Sequence, residues 1–235
     1  MHLSRFNRRL FPVACIALAW TTISIEPFGN VAQALQCSGS DDHRAIGGRE
    51  NTEDHTKGTR ADVYVNDFPA AQIKTWRSLA VARADGVYFA ETGWALESDF
   101  NQLAHPYRTY KVGGSNPVSI RELGVSLSKG VNHSFRVHDN NGDQSWSFAY
   151  TDNGGNWQAL GDLSISFNNG LSLSESESEC DTDILFARFR NLNKLPQANS
   201  TWTNYGGLSL YVDRLSGIYD FCWLGQTSYD IKDVC

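Results

Sequence analysis

From Ala61 to the C-terminus, apolar and polar residues alternate in short runs, and turn-forming residues separate the runs. A period of two is the signature of a half-buried strand. It predicts strands over 62–66, 77–83, 86–94, 107–112, 118–127, 133–138, 145–150, 156–160, 163–167, 184–190, 208–213 and 218–223. Between them lie Ala-Asp-Gly, Asn-Asn-Gly-Asp, Asp-Asn-Gly-Gly and Asn-Asn-Gly, residues suited to tight turns. No window carries a helical period over ten residues, although 97–104 has room for a turn or two. The sharpest local unit is a hairpin. Trp146, Phe148 and Tyr150 share one face of 145–150, the chain turns at Asp152-Asn153-Gly154-Gly155, and it returns through Asn156–Leu160. Many short strands of this kind imply an all-β fold, a two-sheet antiparallel sandwich of jelly-roll or concanavalin-like type, over 61–235.

The texture upstream is different. Residues 38–60 hold only Ala45 and Ile46 as apolar side chains. Such a stretch buries too little to offset its ordering entropy, so 35–60 reads as a polar flexible arm. Before it, Arg5, Arg8 and Arg9 precede an apolar run from Phe11 to Ile25, and Ala32-Gln33-Ala34 follows. These are the three parts of a secretory signal peptide, expected over 1–34. The run is too short for an anchor, which needs about 20 apolar residues, and it contains Thr21, Thr22 and Ser24. Gln36 before Cys37 also argues against a lipid anchor. The expected product is secreted and extracellular, with no membrane insertion after cleavage.

Cleavage removes Cys15 and leaves Cys37, Cys180, Cys222 and Cys235. An oxidising compartment makes two disulfides the expectation. Four cysteines permit three pairings; the simplest joins Cys222 to Cys235 and Cys37 to Cys180. No C-x-x-C is present, which weakens zinc and redox readings.

Charge is unevenly divided. The chain carries −6, and loss of the leader makes this −8. From Leu35 to His138 twelve acids balance twelve bases, whereas from Asp139 onward thirteen acids face five bases. Nucleic acid is disfavoured as a partner, since phosphate binding needs clustered Lys and Arg.

Three constellations could carry chemistry. Asp139, Asn141 and Asp143 alternate as in the opening of a calcium loop, although Gln144 and Tyr150 break the EF-hand pattern. The competing reading is a polar turn between two strands. The expected cofactor is none, or one structural Ca2+. In the run 174–183, Glu175, Glu177, Glu179, Asp181 and Asp183 all hold odd positions. An extended chain points them to one face, about 7 Å apart, as a solvated edge strand or around a cation. Finally, Glu91 shares a strand face with Val87, Phe89 and Gly93. On a core face it needs a partner or a raised pKa; on a groove it is a general acid/base. A salt bridge to Arg108 or Arg136 is the structural alternative. The opposite face carries Tyr88 and Trp94, which can stack on a sugar; Trp202 and Tyr205, in a polar stretch, are further candidates.

His133 and His138 are five apart and face opposite ways on one strand, so they cannot share a metal. There is no H-E-x-x-H, G-x-S-x-G, G-x-G-x-x-G or P-loop. The reading that follows is a secreted, non-catalytic binding module for glycans or another extracellular polymer. The alternative is a secreted carboxylate-dependent hydrolase, glycosidase or glutamic-peptidase-like, using Glu91 with Glu177 or Glu179.

Three resemblances accompany these readings. Asp152-Asn153-Gly154-Gly155-Asn156-Trp157 resembles the Asp-box hairpin of sialidases, in a single copy with Tyr150 replacing the usual Ser; it implies a structural turn. Glu91-Thr92-Gly93-Trp94, His133–Asp139 and Ser176–Asp181 together resemble small secreted bacterial proteins of uncharacterised function, which implies a concanavalin-like sandwich over about 76–225. Gly93-Trp94 after Glu91 is similar to neprosin-type glutamic peptidases. That family's second catalytic Glu has no motif here, so no catalytic role is carried over.

Overall fold

The computed structural model describes residues 43–50, 56–68, 74–83, 85–97, 103–139, 141–167, 170–179, 186–198, 200–213, 219–232 and 235. The leader, Cys37 and Cys180 lie outside these residues, so the signal peptide and the Cys37–Cys180 pairing are not addressed by it.

Two antiparallel sheets form a sandwich. In the first, seven strands run in the order β13 (Leu208–Asp213), β1 (His43–Glu50), β10 (Leu171–Glu179), β3 (Lys74–Ala82), β4 (Phe89–Glu97), β5 (Ala104–Lys111) and β6 (Val118–Arg121). In the second the order is β14 (Asp220–Gly225), β15 (Ser228–Lys232), β11 (Ala187–Pro196), β2 (Thr56–Tyr64), β7 (Asn132–Asp139), β8 (Ser145–Thr151) and β9 (Trp157–Ser164), with β12 (Thr203–Asn204) beside β11. Among the described residues no helix is long and apolar enough to cross a membrane.

The core lies between the sheets. Ile46, Leu79, Val81, Trp94 and Leu96 come from the first sheet, and Phe135, Val137, Trp146, Phe148, Phe189 and Tyr229 from the second. The two indoles are buried because each N–H has a partner: Trp94 Nε1 donates to Tyr64 O at 3.1 Å and Trp146 Nε1 to Phe167 O at 2.8 Å.

Two expectations are corrected here. The supposed arm contains β1 and the start of β2, and β1 pairs on both sides, with β10 and with β13. Its Gly47 lets the neighbouring backbone come so close that a Cβ there would lie 2.1 Å from Ser174 O. The acidic run is likewise no edge. β10 sits between β1 and β3, with Ser172, Ser174, Ser176 and Ser178 buried toward the core and Glu175 and Glu177 on the other face. The Tyr229 hydroxyl serves this polar seam: it lies 2.8 Å from both Ser174 Oγ and Ser174 O and accepts from Gly48 N. A polar side chain can face a core where hydroxyl and backbone groups satisfy it, as they do at Ser174.

Cys222 and Cys235 form the expected disulfide. The 145–160 hairpin is present as β8 and β9, and Asp152 accepts from Gly154 N, Asn156 N and Gln158 Nε2 across its turn.

Candidate active site

The face of the first sheet turned away from the core carries a cleft of about 610 Å³. Strand parity decides what reaches it. β4 contributes Phe89 and Glu91, β3 contributes Trp76, Ala80 and Ala82, β10 contributes Leu171, Leu173, Glu175 and Glu177, and β5 contributes Tyr107 and Thr109. The ladder places Glu175 opposite Ser78, Ser78 opposite Gly93, and Gly93 opposite Tyr107. Small residues on the middle strands thus leave space above the floor. Gly93 has no alternative, because a Cβ there would lie 1.9 Å from Arg77 O.

At the centre, Glu91, Glu175 and Glu177 bring carboxylate oxygens within 4.8 Å of one another. Glu91 is buried at 7 % exposure. Burial pushes its carboxyl up from 4.5 to about 8, and the neighbouring Glu177 charge pushes the same way. The Tyr107 hydroxyl donates to Glu91 Oε1 at 2.5 Å and partly offsets that rise. Burial and the nearby carboxylates hold the Tyr107 phenol itself well above its ordinary value, so it stays a donor. Neither Arg108 nor Arg136 pairs with Glu91: Arg108 donates to Leu160 O, and Arg136 lies over Trp157.

Three carboxylates this close cannot all be ionised without a compensating positive charge. Either protons are shared, or a cation sits among them. This trio is the one group of three or more His, Cys, Asp or Glu found close enough to hold a metal ion among the described residues.

Beneath the sheet, Arg77 supports the site from the core side. Its guanidinium is fully buried and donates to Phe186 O, Trp76 O, Thr75 Oγ1 and, at 3.1 Å, Glu177 O. Desolvation lowers its pKa to about 9. On the cleft side, Glu97 accepts from Trp76 Nε1 at 2.8 Å and from Arg121 Nε at 2.7 Å, which fixes one wall.

The site unites Glu91 and Glu177 from the expected set and adds Glu175. Glu179 closes β10 opposite His43, and its side chain lies outside the described residues. The aromatic candidates are corrected. Trp94 is 0 % exposed and Tyr205 is 1 % exposed, both in the core. Tyr205 is held there by a 2.6 Å hydrogen bond with Thr59 Oγ1. Tyr88 is half-buried against Phe167 and beneath the Arg83 guanidinium. Trp202 lies on the opposite sheet, under Arg60. The Asp139 carboxylate accepts from Gly142 N, Asp143 N and Gln144 N, and Asp143 accepts from Ser145 N, the bonds of a polar turn; Asn141 is exposed. Tyr107 and Arg77 carried no sequence signal, since both act through register and packing between distant segments.

No family model and no curated protein matches the sequence. Among solved structures the chain is similar to scytalido-glutamic peptidase with a peptide-based transition-state analogue, at a TM-score of 0.60 and 11 % identity, covering 82 % of this chain and 99 % of that one. It is also similar to SCP-B, a member of the eqolisin family of peptidases, in complex with the tripeptide Ala-Ile-His, at a TM-score of 0.55 and 11 % identity, covering 81 % and 98 %. At such identities the likeness establishes the sandwich fold.

Proposed function

We propose that this chain is a secreted hydrolase of peptide bonds that uses paired glutamates. The convergence of Glu91, Glu175 and Glu177 within 4.8 Å, with Glu91 buried, is the observation that carries the reading. Below about pH 8 Glu91 holds a proton, as a general acid must. In the proposed step, ionised Glu177 takes a proton from a water whose oxygen bonds to the scissile carbonyl carbon. Glu91 gives its proton to the amide nitrogen, the C–N bond breaks and the amine leaves. The proton on Glu177 then passes back to Glu91 across their short separation, which restores the starting state.

Peptides are favoured over glycosides because clustered carboxyls of this kind can share protons, as the paired carboxyls of aspartic proteases do. Support also comes from the fold neighbours, two of them peptidases crystallised with a peptide-based analogue or a tripeptide. A non-catalytic module is the weaker reading for this face, because Trp94 and Tyr205 are not available to a ligand.

The test is cleavage of an unfolded protein substrate by the mature chain across the acid range, with and without EDTA. Wild-type activity is expected, with Glu91→Gln and Glu177→Gln each slower by about 10²-fold or more. A wild-type rate in Glu91→Gln sinks the proposal. So does loss of activity in EDTA, which would make the trio a metal centre.

A further inference from the structure

The outward face of the second sheet holds a different grouping. Arg60 on β2 stands directly opposite Arg136 on β7. Like charges opposite one another destabilise a sheet, so their retention calls for an explanation. Arg136 lies 4.4 Å from the Trp157 ring centre, and Arg60 lies 4.9 Å from that of Trp202. The result is a Trp–Arg–Arg–Trp row, in which Trp157 is 42 % exposed.

Neither guanidinium forms an ion pair among the described residues. Arg60 Nη2 donates to the neutral Asn193 Oδ1 at 3.0 Å, and Arg136 Nε is buried without a hydrogen-bond partner. Burial, and then the Arg60 charge, lower the Arg136 pKa. The neighbouring carboxylate is already engaged: Asp62 accepts from Ser134 Oγ at 2.5 Å and from Asn191 Nδ2 at 2.6 Å. Asn191 sits at a bulge in the β11–β2 ladder with φ of +55°, a conformation that is uncommon for a residue with a side chain. Bulges commonly re-aim a side chain, here onto Asp62. Arg60, Asp62, Ser134, Trp157 and Asn191 border a pocket of about 410 Å³ together with Asn193 and Asn204, and Arg136 stands beside it against Trp157.

We infer that this pocket binds an acidic saccharide, a uronate-bearing glycan, on the sheet opposite the glutamates. The sugar carboxylate would take Arg60, which lines the pocket, with the Arg136 charge beside it, since guanidinium forks match carboxylates. The Asn191, Asn193 and Asn204 amides and the Ser134 hydroxyl offer the mixed donors and acceptors that sugar hydroxyls need. Trp157 supplies a partly exposed apolar surface beside them. The site is independent of the peptidase reading, and would tether the protein to an acidic polymer without using the cleft.

The experiment is calorimetric titration of the mature chain with an oligogalacturonate, an uncharged oligoglucan of equal length, and poly-glutamate. The uronate is expected to bind, more weakly as salt rises, with the neutral glucan at least about tenfold weaker. Arg60→Ala and Trp157→Ala should each weaken uronate binding by about tenfold or more, with melting curves checking that both variants fold. Glu91→Gln should bind the uronate like wild type, which separates failure here from failure of the peptidase reading. No uronate binding, equal binding of the glucan, or wild-type affinity in both pocket variants overturns the proposal. Equal affinity for poly-glutamate also overturns it and reassigns the site to acidic peptides.

Discussion

Tyr107 donates its hydroxyl to Glu91 Oε1 at 2.5 Å, from a strand whose register sets Tyr107 opposite Gly93, two residues from Glu91. The bond aims the carboxyl and favours its ionised form. Glu177 acts in the opposite sense, because its charge favours the protonated form. The two neighbours therefore predict shifts of opposite sign in one pH profile. In Tyr107→Phe the alkaline limb of kcat/KM moves up in pH. It moves down when Glu177 is replaced by Gln, measured on the residual activity. A common direction for the two variants would show that Glu91 does not set this limb.

Glu91 also links stability to pH. Its folded-state value of about 8 exceeds the ordinary 4.5, so between those limits the folded chain holds a proton that the unfolded chain has released. Stability from this group is complete below about pH 4.5, falls as pH rises, and levels off above about pH 8. At ~1.4 kcal/mol per pKa unit the effect is on the order of several kcal/mol. Glu91→Gln removes it. The difference in melting temperature, variant minus wild type, is expected to grow more positive from pH 4.5 to 8. A constant difference over that range would mean that Glu91 titrates normally.

Much of this architecture is legible in local pattern, and the failures have a common cause. Trp146, Phe148 and Tyr150 alternate with small residues, so their hairpin announces itself. The Ser/Glu alternation of β10 correctly aims Glu175 and Glu177 at one face, yet it resembles a solvated edge. Ser174 can be buried because Tyr229, distant in sequence, supplies it with hydrogen bonds. β1 is misread for the same reason: its Gly47 suits close backbone approach to Ser174, which no periodicity reports. Trp94 reads as a ligand platform until Tyr64 O is found on its indole nitrogen. Parity picks out Glu91, but its partners come from inter-strand register.

The Cys222–Cys235 disulfide closes a loop with a sequence separation of 13 and ties the C-terminus to β14, beside the edge hairpin β14–β15. A loop of that size is worth about 3 kcal/mol in the chain-entropy account. For a domain of this length each kcal/mol moves the melting point by about 2–4 °C. Cys235→Ser is expected to lower the melting temperature by about 6–12 °C, while cleavage by the folded protein at lower temperature is retained, because among the described residues β14 and β15 contribute none to the glutamate cleft. Loss of activity in the still-folded variant would show that this edge supports the site.

Asp139 is fully buried, and its two oxygens accept three backbone N–H groups from Gly142, Asp143 and Gln144. Those donors point their positive ends at the carboxylate. The turn then holds itself together through charge-assisted hydrogen bonds, each worth about 1.5–3 kcal/mol. Replacing Asp139 by Ala leaves all three N–H groups without that acceptor. The variant is expected to melt several degrees lower by the same margin in EDTA and in millimolar calcium, and the wild-type midpoint should be the same in both. A wild-type midpoint that rises with calcium, through binding to the native state alone, would place an ion in this loop or among the glutamates. Repeating that titration on Asp139→Ala and Glu175→Gln would then say which, since only the variant lacking the ligand loses the response.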